Sequence, residues 1–222
     1  GSPAIRDDTV YVGGKAGYGA YDLRSGECRW YAELNRRSQA CYASALVYDD
    51  LVIVLVPHGA EPRAGLLALR AQDGSVAWEQ PLGVQFSYPT PARSGELVVT
   101  GGDPGNLALL EASTGEIVWQ RPVLDAAYAT GLAVENERIY AATANGEARC
   151  VDLASGEVVW TFRAGRDLLD MAPSVRGARS ILATPVVFRD KVIVCGCDGG
   201  LYLLDAASGE CLGHTQFDAP IA

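Results

Sequence analysis

Leu109-Leu-Glu-Ala-Ser-Thr-Gly115-Glu-Ile-Val-Trp119 is one of five copies of a single phrase. The others are Ala20-Tyr-Asp-Leu-Arg-Ser-Gly26-Glu-Cys-Arg-Trp30, Ala68-Leu-Arg-Ala-Gln-Asp-Gly74-Ser-Val-Ala-Trp78, Cys150-Val-Asp-Leu-Ala-Ser-Gly156-Glu-Val-Val-Trp160 and Leu203-Leu-Asp-Ala-Ala-Ser-Gly209-Glu-Cys-Leu-Gly213. Their marker glycines stand 48, 41, 41 and 53 residues apart, so two of the four intervals carry insertions. A second block precedes each phrase, as in Pro3-Ala-Ile-Arg-Asp-Asp-Thr-Val-Tyr-Val-Gly-Gly14 and Pro91-Ala-Arg-Ser-Gly-Glu-Leu-Val-Val-Thr-Gly-Gly102. It parses as two strands around a tight polar turn. The matching turns elsewhere are Tyr48-Asp-Asp50, Glu135-Asn-Glu137 and Arg189-Asp190, with β-branched runs such as Val52-Ile-Val54 and Val192-Ile-Val194 behind them.

Each unit therefore reads as a four-stranded meander, with strand A near Pro3, B over Val10 to Gly13, C over Gly17 to Leu23 and D over Cys28 to Leu34. A sheet of roughly 40 to 45 residues cannot bury both of its faces alone, and stacking such sheets radially solves that problem. The competing all-β architecture is a sandwich, which has no reason to repeat Gly-x-x-x-Trp at every fourth strand. The expectation is an all-β fold: one β-propeller domain over 1–222, made of five four-stranded antiparallel blades near 2–34, 44–82, 90–123, 130–163 and 184–217.

The pattern Ala-x-Asp-x-x-Ser/Thr-Gly-x-x-x-Trp resembles the tryptophan-docking repeat of pyrroloquinoline-quinone dehydrogenases and of BamB-type outer-membrane assembly lipoproteins, over essentially the whole chain. In that family the indole of one blade docks against the neighbouring unit. The resemblance thus implies that Trp30, Trp78, Trp119 and Trp160 are structural interblade clamps. Two departures bear on this: Gly213 stands where the fifth tryptophan belongs, and Leu109, Cys150 and Leu203 replace the small alanine. The seam beside the fifth unit is expected to pack differently. Such propellers usually close with seven or eight blades, and two readings compete for five. Joining Ile221-Ala222 to Ser2-Pro3 regenerates the repeat frame, which suits a closed ring, whereas an excised arc would show the same pattern and expose two apolar blade faces.

The net charge of −9 argues against a nucleic-acid surface. No run of eighteen apolar residues occurs, so membrane insertion is not expected. Gly1-Ser2 looks like the remnant of a cleaved tag, so the absence of a signal peptide carries no information about location. Six cysteines are too sparse for a disulfide-stapled fold, which points to a reducing, cytoplasmic setting. Cys195-Gly-Cys197 on a strand would aim both sulfurs at one face. A zinc site would need two more ligands, and His58 and His214 are the only histidines in the chain. Buried strand cysteines are the default reading, with no metal and no cofactor.

In an A-B-C-D meander, D-to-A links and B-to-C loops emerge on one edge and the A-to-B and C-to-D turns on the other. Both long insertions fall on the first edge: the loop from Pro57 to Arg63, carrying His58 and Arg63, and the link from Arg166 to Ser180, carrying Asp167, Asp170, Arg176 and Arg179. Elaborated loops on a rigid scaffold are where binding usually resides. The alignment also places Gln39, Gln85, Asp125, Arg179 and Asp218 in one ring of positions, three residues before Tyr42, Tyr88, Tyr128, Leu182 and Ile221. If strand A lines the axis, these layers form a channel mouth suited to a small polar ligand or a partner's side chain, or simply a solvated channel filled by tyrosines. Arg36, Arg37, Arg63, Arg166, Arg176 and Arg179 add local positive charge that could fork onto a phosphate or carboxylate, or stay solvated.

The quinone dehydrogenases of this family hold their cofactor with a disulfide between adjacent cysteines and with calcium ligands, and no Cys-Cys pair exists here. Gly-x-Ser-x-Gly, His-Glu-x-x-His and phosphate-cradling glycine loops are also missing. The expected function is non-catalytic: an accessory propeller of a larger bacterial protein, recognising a protein partner, a small polar ligand or a covalently linked catalytic domain such as a phosphoesterase or kinase. An envelope assembly scaffold of the BamB type is the alternative, and a quinone-dependent dehydrogenase fragment ranks behind it.

Overall fold

The computed structural model describes residues 1–14, 16–34, 43–56, 65–83, 89–102, 105–125, 129–169 and 178–221. Among them lie twenty strands in five four-stranded antiparallel sheets, each a meander of consecutive strands. Blade 1 holds β1 (Ala4–Arg6), β2 (Thr9–Gly13), β3 (Gly17–Asp22) and β4 (Cys28–Glu33). Blade 2 holds β5 (Leu46–Tyr48), β6 (Leu51–Val56), β7 (Gly65–Arg70) and β8 (Val76–Pro81). Blade 3 holds β9 (Ala92–Ser94), β10 (Leu97–Gly102), β11 (Asn106–Glu111) and β12 (Ile117–Pro122). Blade 4 holds β13 (Ala129–Glu135), β14 (Arg138–Thr143), β15 (Glu147–Asp152) and β16 (Val158–Arg163). Blade 5 holds β17 (Val186–Phe188), β18 (Lys191–Cys195), β19 (Gly200–Asp205) and β20 (Cys211–Gln216). The fold is all-β, a propeller of five four-stranded blades. The chain forms two compact units, Gly1–Asp103 with Ala108–Gln120, and Pro104–Leu107 with Arg121–Ala222.

The polar turns between first and second strands work because a residue adopts left-handed backbone there: Asp7, Asp49, Gly95, Asn136 and Arg189 all have φ between 45° and 57°. Short polar residues and glycine tolerate that region best. The repeated phrase makes the turn between third and fourth strands. In blade 1 the Asp22 carboxylate accepts from the Arg24 and Ser25 amides, at 3.0 and 2.8 Å, and Gly26 closes the turn at φ 73°. Backbone bonds then tie this turn to the first one in every blade: Leu23 N–H to Asp8, Ala71 to Asp50, Ala112 to Glu96, Leu153 to Glu137 and Ala206 to Asp190. Both turns therefore share one edge of each sheet, leaving the other edge to the longer loops and links.

In the unit containing blades 1 to 3, β6 reads Leu-Val-Ile-Val-Leu-Val with all six residues buried. Val52, Val54, Leu67 and Leu69 join Tyr11, Tyr18, Ala20 and Trp30 of blade 1, while Ile53, Leu55, Leu66 and Ala68 join Val98, Leu110 and Ala112 of blade 3. A continuous apolar run is what a strand needs when both faces of its sheet are covered. In the other unit, Tyr140, Ala142, Cys150 and Trp160 of blade 4 meet Val192, Val194 and Leu204 of blade 5.

The indoles close these seams. Trp30 Nε1 donates to the Ala71 carbonyl at 2.8 Å, Trp78 to Ala112 at 3.1 Å and Trp160 to Ala206 at 3.0 Å. Each ring lies on the marker glycine of the next blade. A Cβ added to Gly74, Gly115 or Gly209 would come within 2.6, 2.5 or 2.6 Å of Trp30, Trp78 or Trp160. The phrase therefore needs glycine twice over, for the positive φ and for the approach of the ring. Trp119 is as buried as Trp30 and Trp160.

Ser2 N–H donates to Ser44 Oγ at 2.7 Å, and a side chain at Gly1 would strike the Ala43 backbone, so the chain start lies against the segment that leads into β5. Ser44 N–H in turn donates to Thr90 Oγ1 at 3.1 Å, so hydroxyls at equivalent positions link the segments that lead into β1, β5 and β9. One expectation changes, because Cys195 and Cys197 do not share a strand. Cys197 lies in the turn after β18, so strand alternation does not relate it to Cys195. Its backbone pairs with Ser180 and Leu168, and burial, with Asp167 and Asp198 nearby, raises the thiol's pKa.

Candidate functional site

In the unit containing blades 4 and 5, the loop-bearing edge gathers several charged side chains around β15 and the link into blade 5. Strand β15 opens with Glu147, where blades 1, 2 and 5 have Gly17, Gly65 and Gly200. Two residues on, Arg149 occupies the position of Leu67 in blade 2, a position of the buried core. A guanidinium there must find partners, because an unpaired buried charge is costly. It does. Arg149 Nε donates to Glu147 at 2.9 Å, Nη1 to the Val123 carbonyl at 2.5 Å, and Nη2 pairs with Asp125. Arg163 on β16 reaches the other Glu147 oxygen at 2.8 Å. Burial works against the Arg149 charge, but Asp125 and Glu147 hold its pKa above the ordinary value. The hydrogen bond from Arg149 keeps the Asp125 carboxyl below the usual range. Asp125 itself has φ 47° and a largely exposed side chain. An ionised carboxylate is thus presented to solvent by a non-glycine residue in the left-handed region, a kind of strain that recurs at binding sites.

Beside it runs the link from blade 4 to blade 5. Both Asp167 oxygens are taken by Ser180, whose amide and hydroxyl donate at 2.7 and 2.8 Å. Asp167 N–H bonds to Ala178 and Leu168 N–H to Cys197. Asp198, buried in the turn before β19, accepts from the Gly165 amide, the Gly200 amide at 3.0 Å and the Tyr202 hydroxyl. Burial, together with that carboxylate, pushes the Tyr202 hydroxyl up to about 12. Arg179 donates to the Ala164 carbonyl at 2.8 Å and packs its Cβ over Gly146. The two described ends of the link, 166–169 and 178–180, are thus tied to each other and to the turn after β18, while Leu168 and Leu169 stay 45% and 59% exposed with Arg166 beside them.

Of the residues singled out from sequence, Gln39, Tyr42, His58, Arg63, Gln85, Tyr88, Tyr128, Asp170 and Arg176 lie outside the described residues. Among the described ones, no hydrogen bond or ion pair joins Asp125, Arg179 and Asp218: Asp125 turns to Arg149, Arg179 to Ala164, and Asp218 is exposed. Asp167 is occupied as a clasp on Ser180. Glu147, Arg149, Asp198 and the Leu168-Leu169 pair were missed. The signal for Arg149 was present, a charge inside a strand whose counterparts are Gly19, Leu67, Ala108 and Tyr202. A cleft of about 440 Å³ lies on the opposite, turn-bearing edge, lined by Arg138, Tyr140, Arg189, Asp190 and Asp205 among others. It is ringed by charges of both signs and had no counterpart in the sequence reading. Among the described residues no cluster of three or more His, Cys, Asp or Glu could hold a metal ion.

The family model described as outer membrane protein assembly factor BamB matches residues 62–220. No curated protein matches the chain. Among solved structures, BamB from Moraxella catarrhalis superposes with a TM-score of 0.76 at 22% identity, covering 99% of this chain and 64% of that one. The computationally designed Ika8 protein gives 0.77 at 13% identity, covering 99% and 62%. Quinohemoprotein alcohol dehydrogenase from Comamonas testosteroni gives 0.75 at 15% identity, covering 97% and 42%. This chain thus spans less than two thirds of the length of each. By its repeat phrase, its indole seams and the match over residues 62–220, the chain belongs to the BamB-type, PQQ-like repeat family.

Proposed function

We propose that this propeller is a non-catalytic recognition module of a larger bacterial protein, binding a protein partner through the edge that bears its loops and links. The observation that carries the reading is the link after blade 4. Its first residues are held by the bonds of Asp167 to Ala178 and of Leu168 to Cys197, and they display two leucines beside Arg166 on the edge that also presents the Asp125 carboxylate. Apolar side chains displayed beside charged ones suit an interface whose centre is dehydrated on contact. A small polar ligand at the same edge, or a catalytic domain joined to the chain, would use the same groups. The exposed thiols of Cys28 and Cys211 favour a reducing, cytoplasmic setting.

A second reading, an envelope assembly scaffold, is favoured by the family match. Affinity capture from a cell extract, quantified for the wild-type chain, the Leu168→Ser/Leu169→Ser double variant and Arg189→Ser on the opposite edge, tests the assignment. Loss in the double variant alone supports it. Equal capture by all three refutes it, and loss only with Arg189→Ser moves the interface to the turn-bearing cleft.

A further inference from the structure

The turn-bearing cleft between blades 4 and 5 has a local cause. In the seam of blades 2 and 3, the first residue of the second strand, Leu51, is 6% exposed and packs in the cluster that holds Ala112. The equivalent residue of blade 4 is Arg138. Its guanidinium is drawn onto its own sheet, where Asp152 stands directly opposite on β15 and accepts from Nη1. Space that a leucine fills elsewhere is left as a cleft of about 440 Å³, whose lining residues all lie within Arg121–Ala222. The seam itself forms the floor. Tyr140, 4% exposed, has its ring centroid 5.9 Å from that of Trp160, whose Nε1 donates to the Ala206 carbonyl at 3.0 Å.

Backbone strain gathers at the same place. Six non-glycine residues have left-handed backbone among the described residues, and three of them, Asn136, Glu137 and Arg189, line this cleft. Blade 4 has two in succession, at φ 49° and 58°, whereas Asp8, Asp50, Glu96 and Asp190, the counterparts of Glu137, are not left-handed. Non-glycine residues held this way recur at ligand sites. Polar capacity is also left unspent. Arg138 uses only Nη1, on Asp152 and on the Glu137 carbonyl, so Nε and Nη2 make no bond among the described residues. The Arg189 guanidinium lies over the Phe188 ring at 5.1 Å and makes no hydrogen bond or ion pair there, and the Glu137 carboxylate makes none either. Each wall therefore carries one cation and one anion: Arg138 with Glu137 on blade 4, Arg189 with Asp190 on blade 5. A lone anion meets two carboxylates here and a lone cation two guanidinium groups, so electrostatic complementarity selects a ligand that bears both charges.

We propose that this cleft binds a free α-amino acid with an apolar side chain. Its carboxylate takes the forked Nε and Nη2 donors of Arg138, its ammonium group faces Glu137, and its side chain rests on Tyr140 and Ala206. The volume sits toward the lower end of small-molecule clefts, about 300–1,000 Å³. This site lies on the edge opposite the proposed interface and does not depend on that reading.

The test titrates leucine and phenylalanine into the ¹⁵N-labelled 222-residue chain. Saturable shifts centred on Asn136, Glu137, Arg138, Arg189 and Ala206 are expected. N-acetyl-leucine, which lacks the ammonium charge, and leucinamide, which lacks the carboxylate, should each bind about tenfold or more weakly. Arg138→Thr installs the residue that blade 1 carries at this position, Thr9, and Glu137→Gln changes an exposed turn, so two folded variants are available. Each should weaken leucine binding about tenfold or more. No saturable shift with either amino acid up to about 10 mM, or shifts centred elsewhere, overturns the proposal. N-acetyl-leucine or inorganic phosphate binding as tightly as leucine makes this an anion site, and leucinamide binding as tightly makes it a cation site; each result refutes the zwitterion. Leucine affinity unchanged in both variants refutes it as well.

Discussion

Alanine at Gly74 and alanine at Gly26 impose the same backbone demand, because both glycines sit at φ 73°. Holding alanine in the left-handed region costs about 1–2 kcal/mol at either site. Only at Gly74 does the new methyl meet a ring: it would lie 2.6 Å from Trp30 Cε3 and 2.8 Å from Cδ2, whereas ordinary contact begins at 3.4 Å. The indole would have to retreat by about 0.8 Å, against its 2.8 Å hydrogen bond to Ala71. Overpacking of this kind costs about 1–3 kcal/mol. Gly74→Ala is therefore expected to lose about 2–5 kcal/mol and Gly26→Ala only about 1–2. In a domain of this size the difference amounts to about 2–12 °C in thermal midpoint. Urea unfolding followed by tryptophan fluorescence, with thermal melts by circular dichroism, measures both variants against wild type. Equal losses would show that the rings do not rest on the marker glycines, and the account of the seams would fail.

Trp119→Ala should destabilise by about 3–5 kcal/mol as the loss of a buried clamp, and a change within about half a kcal/mol in urea titration would show that the indole is not buried as described. Arg149→Ala leaves the buried Glu147 carboxylate with Arg163 alone and should cost about 3–5 kcal/mol, while Arg179→Ala, on an exposed side chain, should leave the thermal midpoint nearly unchanged. Asp22, Asp152 and Asp205 are held below the usual carboxylate range, first of all by the amides of Ser25, Ser155 and Ser208. Because the folded values lie below the unfolded one, their contribution is present above about pH 4 and disappears as pH falls through the folded values. Thermal midpoints should fall between pH 5 and pH 2.5, less steeply in Asp152→Asn/Asp205→Asn, and identical acid limbs would count against the turn assignment.

The turns were legible because their chemistry is local. An Asp accepting from the amides two and three residues on, and a glycine four residues on, form the turn at Asp22 to Gly26 whatever surrounds it. Both faces of β6 could be read as buried from six apolar residues in a row. Arg149 could have been found by comparing equivalent strand positions across units, since no bland reading explains a guanidinium where Leu67 stands. Cys197 was misplaced because β18 ends two residues earlier, where the Asp198 turn begins, and a strand's end is set by which amides find partners rather than by apolarity. The role of Asp167 was also hidden. Ser180, the residue that occupies it, is thirteen positions away across an insertion with no counterpart in the other units.

By itself the sequence determined the number of units, the four strands in each, the turn conformations and the identity of the clamping residues. These follow from period-two alternation, glycine's access to positive φ and the short reach of a carboxylate to its neighbouring amides. Only the tertiary structure decided which groups meet: that Asp125 faces Arg149, that Asp167 clasps Ser180, that Leu168 and Leu169 protrude, and that the Trp30 ring rests on Gly74. Such pairings depend on distances between residues far apart in the chain, which packing sets and no local pattern encodes.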